Sequence, residues 1–373
     1  MTSIDATTAP CATRPTTSAR DDLVTTAFGV WLILGLFIDG WAHLNLPGLE
    51  TFFTPWHAVL YSGFGAGALW LGVLARRGRR LGLPWNRALP VGYPLAAAGV
   101  LLFGAGGVGD MVWHVAFGVE TGIDALVSPT HLVLLTGGAL ALTAALRAGW
   151  SRPPAPGGPT LASELPAVLS LTLVTVLGAF FLLYVSVFTG PAAAQETGRI
   201  PEGAPGHEAA ELSAVAGLAG YVVTTALLVA PLLLAQRVGR RPRGAVVMVV
   251  GVVAWLSVGV GGFNTYGVSA AAAVSVAAVV VEVVVARIER SRLPQSLHLP
   301  ALAATLPLLL WPAQLVAVAI SEGMRWPVEL WSGVVGLSVL VAVALAVVAG
   351  WNPVVAGAGP DRWAQRPDRQ RHG

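Results

Sequence analysis

Apolar runs of about twenty residues recur along this whole chain, and each is long enough to cross a hydrocarbon core of about 30 Å. They fall near residues 23–39, 55–75, 89–110, 129–147, 165–188, 212–235, 245–263, 267–286, 299–320 and 327–349. Backbone amides in lipid must find partners inside their own segment, so each run is expected to be a helix. The expected fold is therefore an all-α polytopic integral membrane bundle of about ten transmembrane helices. Composition agrees, since 55% of the 373 residues are hydrophobic and only 11% are charged. One membrane domain is expected over residues 23–350. Residues 1–22, rich in Thr, Ala and Pro, read as a disordered cytoplasmic tail, and residues 351–373 as an Arg-rich cytoplasmic tail.

All 22 basic residues are arginine. They cluster after alternate runs: Arg76, Arg77, Arg79, Arg80 and Arg87; Arg147 and Arg152; Arg237, Arg240, Arg241 and Arg243; Arg287, Arg290 and Arg292; and Arg362, Arg366, Arg369 and Arg371 near the end. The opposite connections carry chiefly Arg199 and Arg325. The positive-inside rule then places both termini in the cytoplasm of a multi-pass cell-membrane protein. The sequence pI near 9.5 is a topology signal and not a nucleic-acid patch, because there is no soluble domain to carry one. The lone Cys11 excludes an internal disulfide and a Cys-rich metal cluster.

On this topology the acids and histidines gather at the external ends of the first four runs. Two stretches there have the same internal order. The first reads Asp39-Gly-Trp41-Ala-His43, then Glu50-Thr51, then Pro55-Trp56-His57, with Gly63 beyond. The second reads Asp110-Met-Val-Trp113-His114, then Glu120-Thr121, then Pro129-Thr130-His131, with Gly137 beyond. Two repeated helical hairpins follow, about residues 23–80 and 89–150. A fainter third begins at Pro327-Val-Glu329. The glycines inside the runs are read as close helix packing and not as nucleotide loops.

An acid four residues before a histidine shares its helix face, and a second histidine arrives at the start of the next run. One Asp and two His make a three-ligand N/N/O site with room for a further ligand. Imidazole with carboxylate suits copper, zinc, iron or nickel better than calcium or magnesium. Ionisable groups clustered near membrane depth mark an ion or substrate site more often than structural contacts. The predicted metal ligands are Asp39, His43 and His57 in one set and Asp110, His114 and His131 in the other. Glu50, Glu120, Asp124, Trp41, Trp56 and Trp113 are expected around them, with the tryptophans as walls.

Asp110-Met-Val-Trp113-His114, together with Phe53-Thr54-Pro55-Trp56-His57, resembles the metal motif of the C subunit of particulate methane and ammonia monooxygenases. The resemblance covers some twenty residues in each stretch. In that family the Asp and the two His are copper ligands in the membrane. The resemblance therefore implies two copper sites, on the two sets named above, with zinc or iron also compatible with the donors.

The functional expectation is a membrane metal-binding protein, with copper the leading cofactor, acting as a monooxygenase-like or oxidase membrane subunit. A divalent-metal transporter, a membrane haem protein and a structural membrane subunit remain alternatives. Spans 1 to 4 offer almost no polar path inward, which weighs against transport. The expected partners are the lipid bilayer and, for an oxidoreductase, other membrane subunits or a redox partner. Three weaker features carry expectations of their own. Loop 189–211, with Glu196, His207, Glu208 and Glu211, reads as a solvated loop or a lid over the site. Glu282 is expected to snorkel inward near Arg287, and Asn264 and Tyr266 to make polar contacts at the outer turn.

Overall fold

The structure, a computed structural model, describes residues 14–46, 53–118, 122–153, 157–198 and 200–351. Those residues form helices and no strand. The long helices are α1 (Ala19–Asn45), α2 (Pro55–Arg80), α3 (Pro94–Phe117) and α4 (Pro129–Ser151). Then follow α5 (Leu161–Phe181), α6 (His207–Arg237), α7 (Ala245–Val260), α8 (Thr265–Glu289), α9 (His298–Ser321) and α10 (Val328–Gly350). Among the described residues nine of these are long and apolar enough to cross a membrane. The tenth, α7, has 16 residues, about 24 Å of helix. It is shorter than the expected run 245–263 because a glycine turn closes it at Gly261 and Gly262.

Helix starts follow local chemistry. Ser18 accepts a hydrogen bond from the Asp21 amide and caps α1. The helix therefore starts ahead of the expected boundary at residue 23, and Asp22 is buried inside it. Residues 14–18 are also engaged, because the Pro15 carbonyl accepts from the Val91 amide. α2, α3 and α4 each begin with a proline in the first turn, where its missing N–H costs nothing. α6 begins at His207, ahead of the expected boundary at residue 212, so Glu208 lies in its first turn.

α1 pairs with α2 and α3 with α4, as two helical hairpins. Small residues let the backbones meet. A Cβ on Gly63 of α2 would lie 2.7 Å from the Leu32 amide nitrogen of α1, and one on Gly137 of α4 would lie 2.5 Å from that of Phe103 in α3. α5 packs against α1, α4 and α7, joining the hairpins to the second half of the bundle. α7 buries one face in the bundle, with Val246, Val249, Val250 and Ala254 inaccessible, and leaves Trp255 on its exposed side. Large apolar side chains such as Leu69, Leu101 and Leu340 lie on the outside, as a surface in contact with lipid requires.

The arginine-bearing end is more than a topology signal. Asp22 pairs with Arg152 at 2.6 Å, Glu164 with Arg240 at 2.9 Å, and Arg241 with Glu282 at 2.8 Å and Glu289 at 2.6 Å. Tyr93 adds a hydrogen bond to Asp22 at 2.6 Å. Glu282 therefore does not snorkel near Arg287. It is buried, bound to Arg241 and to the Val246 amide, because the α6–α7 connection folds back over α8.

Candidate metal centre

Asp39 and His43 sit one turn apart near the end of α1, and Asp110 and His114 likewise near the end of α3. His57 and His131 each lie in the first turn of the following helix, where a hydroxyl sets their position. Thr54 accepts from the His57 amide at 3.1 Å, and Ser128 from the His131 amide at 3.4 Å. The same hydroxyls bond the imidazole Nδ1 atoms, at 3.0 Å for Thr54 with His57 and 2.7 Å for Ser128 with His131. The N-cap thus orients each ring as well as starting the helix.

The hairpins bring both predicted ligand sets together. Asp39 Oδ2 is 3.8 Å from His43 Nε2, and its Oδ1 is 3.2 Å from His57 Nδ1. Asp110 Oδ2 is 3.4 Å from His114 Nε2, and its Oδ1 is 3.6 Å from His131 Nδ1. In each triad the three donor atoms lie within 4.8 Å of one another. Bonds of about 2.0–2.2 Å to a first-row metal put donor atoms up to about 4 Å apart, so modest side-chain adjustment closes either triad on an ion.

The carboxylates are deep. Asp110 is 1% exposed and Asp39 7%. Asp110 Oδ1 accepts a hydrogen bond from Thr130 at 2.8 Å. The residue before His57 is Trp56, which offers no hydroxyl, and among the described residues Asp39 Oδ1 is buried with no hydrogen bond, His57 Nδ1 standing 3.2 Å away. A buried carboxylate oxygen left so is costly, and a cation held with His43 and His57 would offset that cost. The donor set and this orphaned oxygen both fit a metal.

Both triads face one cavity of about 520 Å³. Apart from the triads, its wall is almost entirely apolar, including Leu36, Leu60, Phe103, Leu134, Phe180 and Phe181. α5 contributes because Gly40, beside Asp39, has no side chain; a Cβ there would meet the Phe180 ring at 2.5 Å. The expected tryptophan wall is not what lines the cavity. Trp41 and Trp56 pack edge-on against each other, centroids 6.0 Å apart, and Trp113 lies against Phe117 at 4.6 Å. Asp124 is exposed on the short helix Ile123–Val127, while its neighbours Ala125 and Leu126 reach the cavity. Glu50 and Glu120 lie outside the described residues.

The lid reading of loop 189–211 also changes. Thr189, Gly190, Ala192 and Gln195 line a separate cavity of about 380 Å³, which meets the first at Leu44, Leu183 and Tyr184. Asn264 and Tyr266 do make polar contacts at their turn. Asn264 caps α8, and the Tyr266 hydroxyl donates to the Val187 carbonyl and accepts from the buried amide of Gln314 at 3.1 Å.

Sequence reasoning missed Thr54, Ser128, Thr130, Tyr61 and the α5 wall. Ser or Thr directly before Pro-x-His is an N-cap signal that could have pointed to the first two. The α5 residues carry no such signal, because only packing brings them to the site. The chain matches no family model, no curated protein and no solved structure.

Proposed function

We propose that this chain is an integral membrane copper protein, a monooxygenase-like or oxidase membrane subunit, with two metal centres facing one apolar chamber. The observation that carries this reading is the shared cavity: two Asp/His/His triads face about 520 Å³ of otherwise nearly all-apolar space. A structural role would not require paired carboxylates to be buried beside such a space, since ionisable groups at this depth are costly unless they are used. The likeness of the two stretches, and their resemblance to the copper motif of the methane and ammonia monooxygenase C subunit, supports copper over zinc or iron.

In this reading Asp39, His43 and His57 hold one ion, and Asp110, His114 and His131 the other. Copper, when bound, supplies one-electron redox chemistry and an open coordination position. Thr54 and Ser128 set the orientation of His57 and His131. Thr130 holds Asp110 and so tunes the second centre separately from the first. Leu36, Leu60, Phe103 and Phe180 exclude water and leave room for an apolar guest. The arginine asymmetry supports a reading with the arginine-rich end and both termini in the cytoplasm and the two centres toward the external face.

Elemental mass spectrometry of the purified protein, with optical and electron paramagnetic resonance spectra, tests this directly. Near two copper equivalents per chain with nitrogen-rich hyperfine coupling is the expected result. A metal-free protein that takes up no copper on reconstitution would overturn it, as would a haem spectrum.

A further inference from the structure

Tyr61 lies one turn beyond His57 on α2. Its ring stacks on the His57 imidazole, with centroids 6.3 Å apart and planes at 14°. It also meets Phe103 of α3 edge-on at 6.4 Å. Its hydroxyl reaches across to the other hairpin and lies over Gly107 of α3, where a Cβ would come within 2.9 Å of both the oxygen and Cε1 of Tyr61. Gly107 is three residues before Asp110. The turn of α3 that leads to the second carboxylate therefore also presents the bare backbone that admits the phenol.

Tyr61 thus runs from a ligand of the first triad to the helix of the second, along the wall of their common cavity. Apart from the six triad residues, Tyr61 and Tyr184 are the polar side chains lining that cavity among the described residues. The residue four beyond His131 is Leu135, so the two ligand-bearing hairpins together provide one phenol to this cavity and not two.

We infer that Tyr61 is a positioning residue that donates a hydrogen bond to a small anion held in the cavity between the two metal sites, and that Gly107 gives the phenol its reach. This rests on the metal reading above. A phenol keeps its proton well above neutral pH, so toward an anion it acts as the donor. Loss of one such charge-assisted bond is expected to weaken binding by about tenfold or more.

The test uses full-length protein in detergent, loaded with Cu(II) and titrated with azide, following the azide-to-copper charge-transfer band and the copper content of every sample. Tyr61→Phe retains the ring and its stacking and should retain its copper while binding azide about tenfold more weakly. Gly107→Ala keeps the hydroxyl but displaces it, and should weaken azide with copper retained. The double variant should bind azide no more weakly than Tyr61→Phe, because both changes act through one hydroxyl. Unchanged azide affinity in copper-loaded Tyr61→Phe overturns the inference and leaves the metal centres standing. Loss of copper in Tyr61→Phe also overturns it, since the hydroxyl would then be maintaining the site itself. Wild-type protein that takes up no copper sinks the metal reading, and the inference with it.

Discussion

Asp39 Oδ1 stands 3.2 Å from His57 Nδ1, a contact between two helices whose connection reverses the chain. Asp110 and His131 make the corresponding contact at 3.6 Å. Each aspartate lies within ion-pair distance of the histidines of its own triad, which makes two separable centres the expected arrangement. His57→Ala and His131→Ala should each remove about one metal equivalent, read by elemental analysis, and the double variant both. Removal of nearly all metal by either single change would mean one shared centre, and unchanged metal in both would leave the triads without a metal role.

Thr130 distinguishes the triads. Its hydroxyl donates to Asp110 Oδ1 at 2.8 Å, and groups that orient a metal ligand typically change affinity by about 10–100-fold. Thr130→Val should weaken metal binding at the second centre by about that factor and leave the first unaltered. A competition titration with a chelator of known affinity would resolve the two classes. Equal weakening of both centres would count against separate control.

Gly63 and Gly65 offer a matched pair for helix packing. A Cβ on Gly63 would press on the α1 backbone at Leu32, whereas one on Gly65 meets nothing within 4 Å. Gly63→Ala is expected to destabilise the α1–α2 hairpin by about 1–3 kcal/mol, seen as a lower thermal midpoint in detergent and as lost metal. Gly65→Ala should leave both unaltered. Equal effects would show that the close crossing of α1 and α2 at Gly63 is not what holds the site.

Arg241 and Arg287 test the buried ion network. Arg241 is buried between Glu282 and Glu289, and removing one partner of a buried pair typically costs about 3–5 kcal/mol. Arg287 is exposed. Arg241→Ala should sharply reduce the thermal midpoint or the folded yield, and Arg287→Ala should leave both near wild type. The reverse ranking would restore the snorkelling account of Glu282.

The proposed orientation rests on the arginine asymmetry and is tested by reporters. A fusion after Arg80 or at Gly373 should report cytoplasm, and one inserted near Gly203 the external side. The opposite pattern would turn the proposed chamber toward the cytoplasm.

The amino-acid sequence by itself determined that the chain is a bundle of apolar helices, because backbone amides in lipid have no other way to be satisfied, and apolar runs of this length are legible without any neighbour. It also determined the six candidate ligands, since Asp-x3-His on one helix face and Pro-x-His at a helix start are local patterns. The tertiary structure decided the rest. That the two triads open onto one cavity depends on how α3 and α4 pack beside α1 and α5, which no local spacing encodes. The partner of Glu282 is Arg241 and not the nearer Arg287, because the α6–α7 connection returns over α8 and brings a distant charge closer than a neighbouring one. Tyr61 acquires its place only because Gly107, on another helix and 46 positions away, leaves room for its hydroxyl.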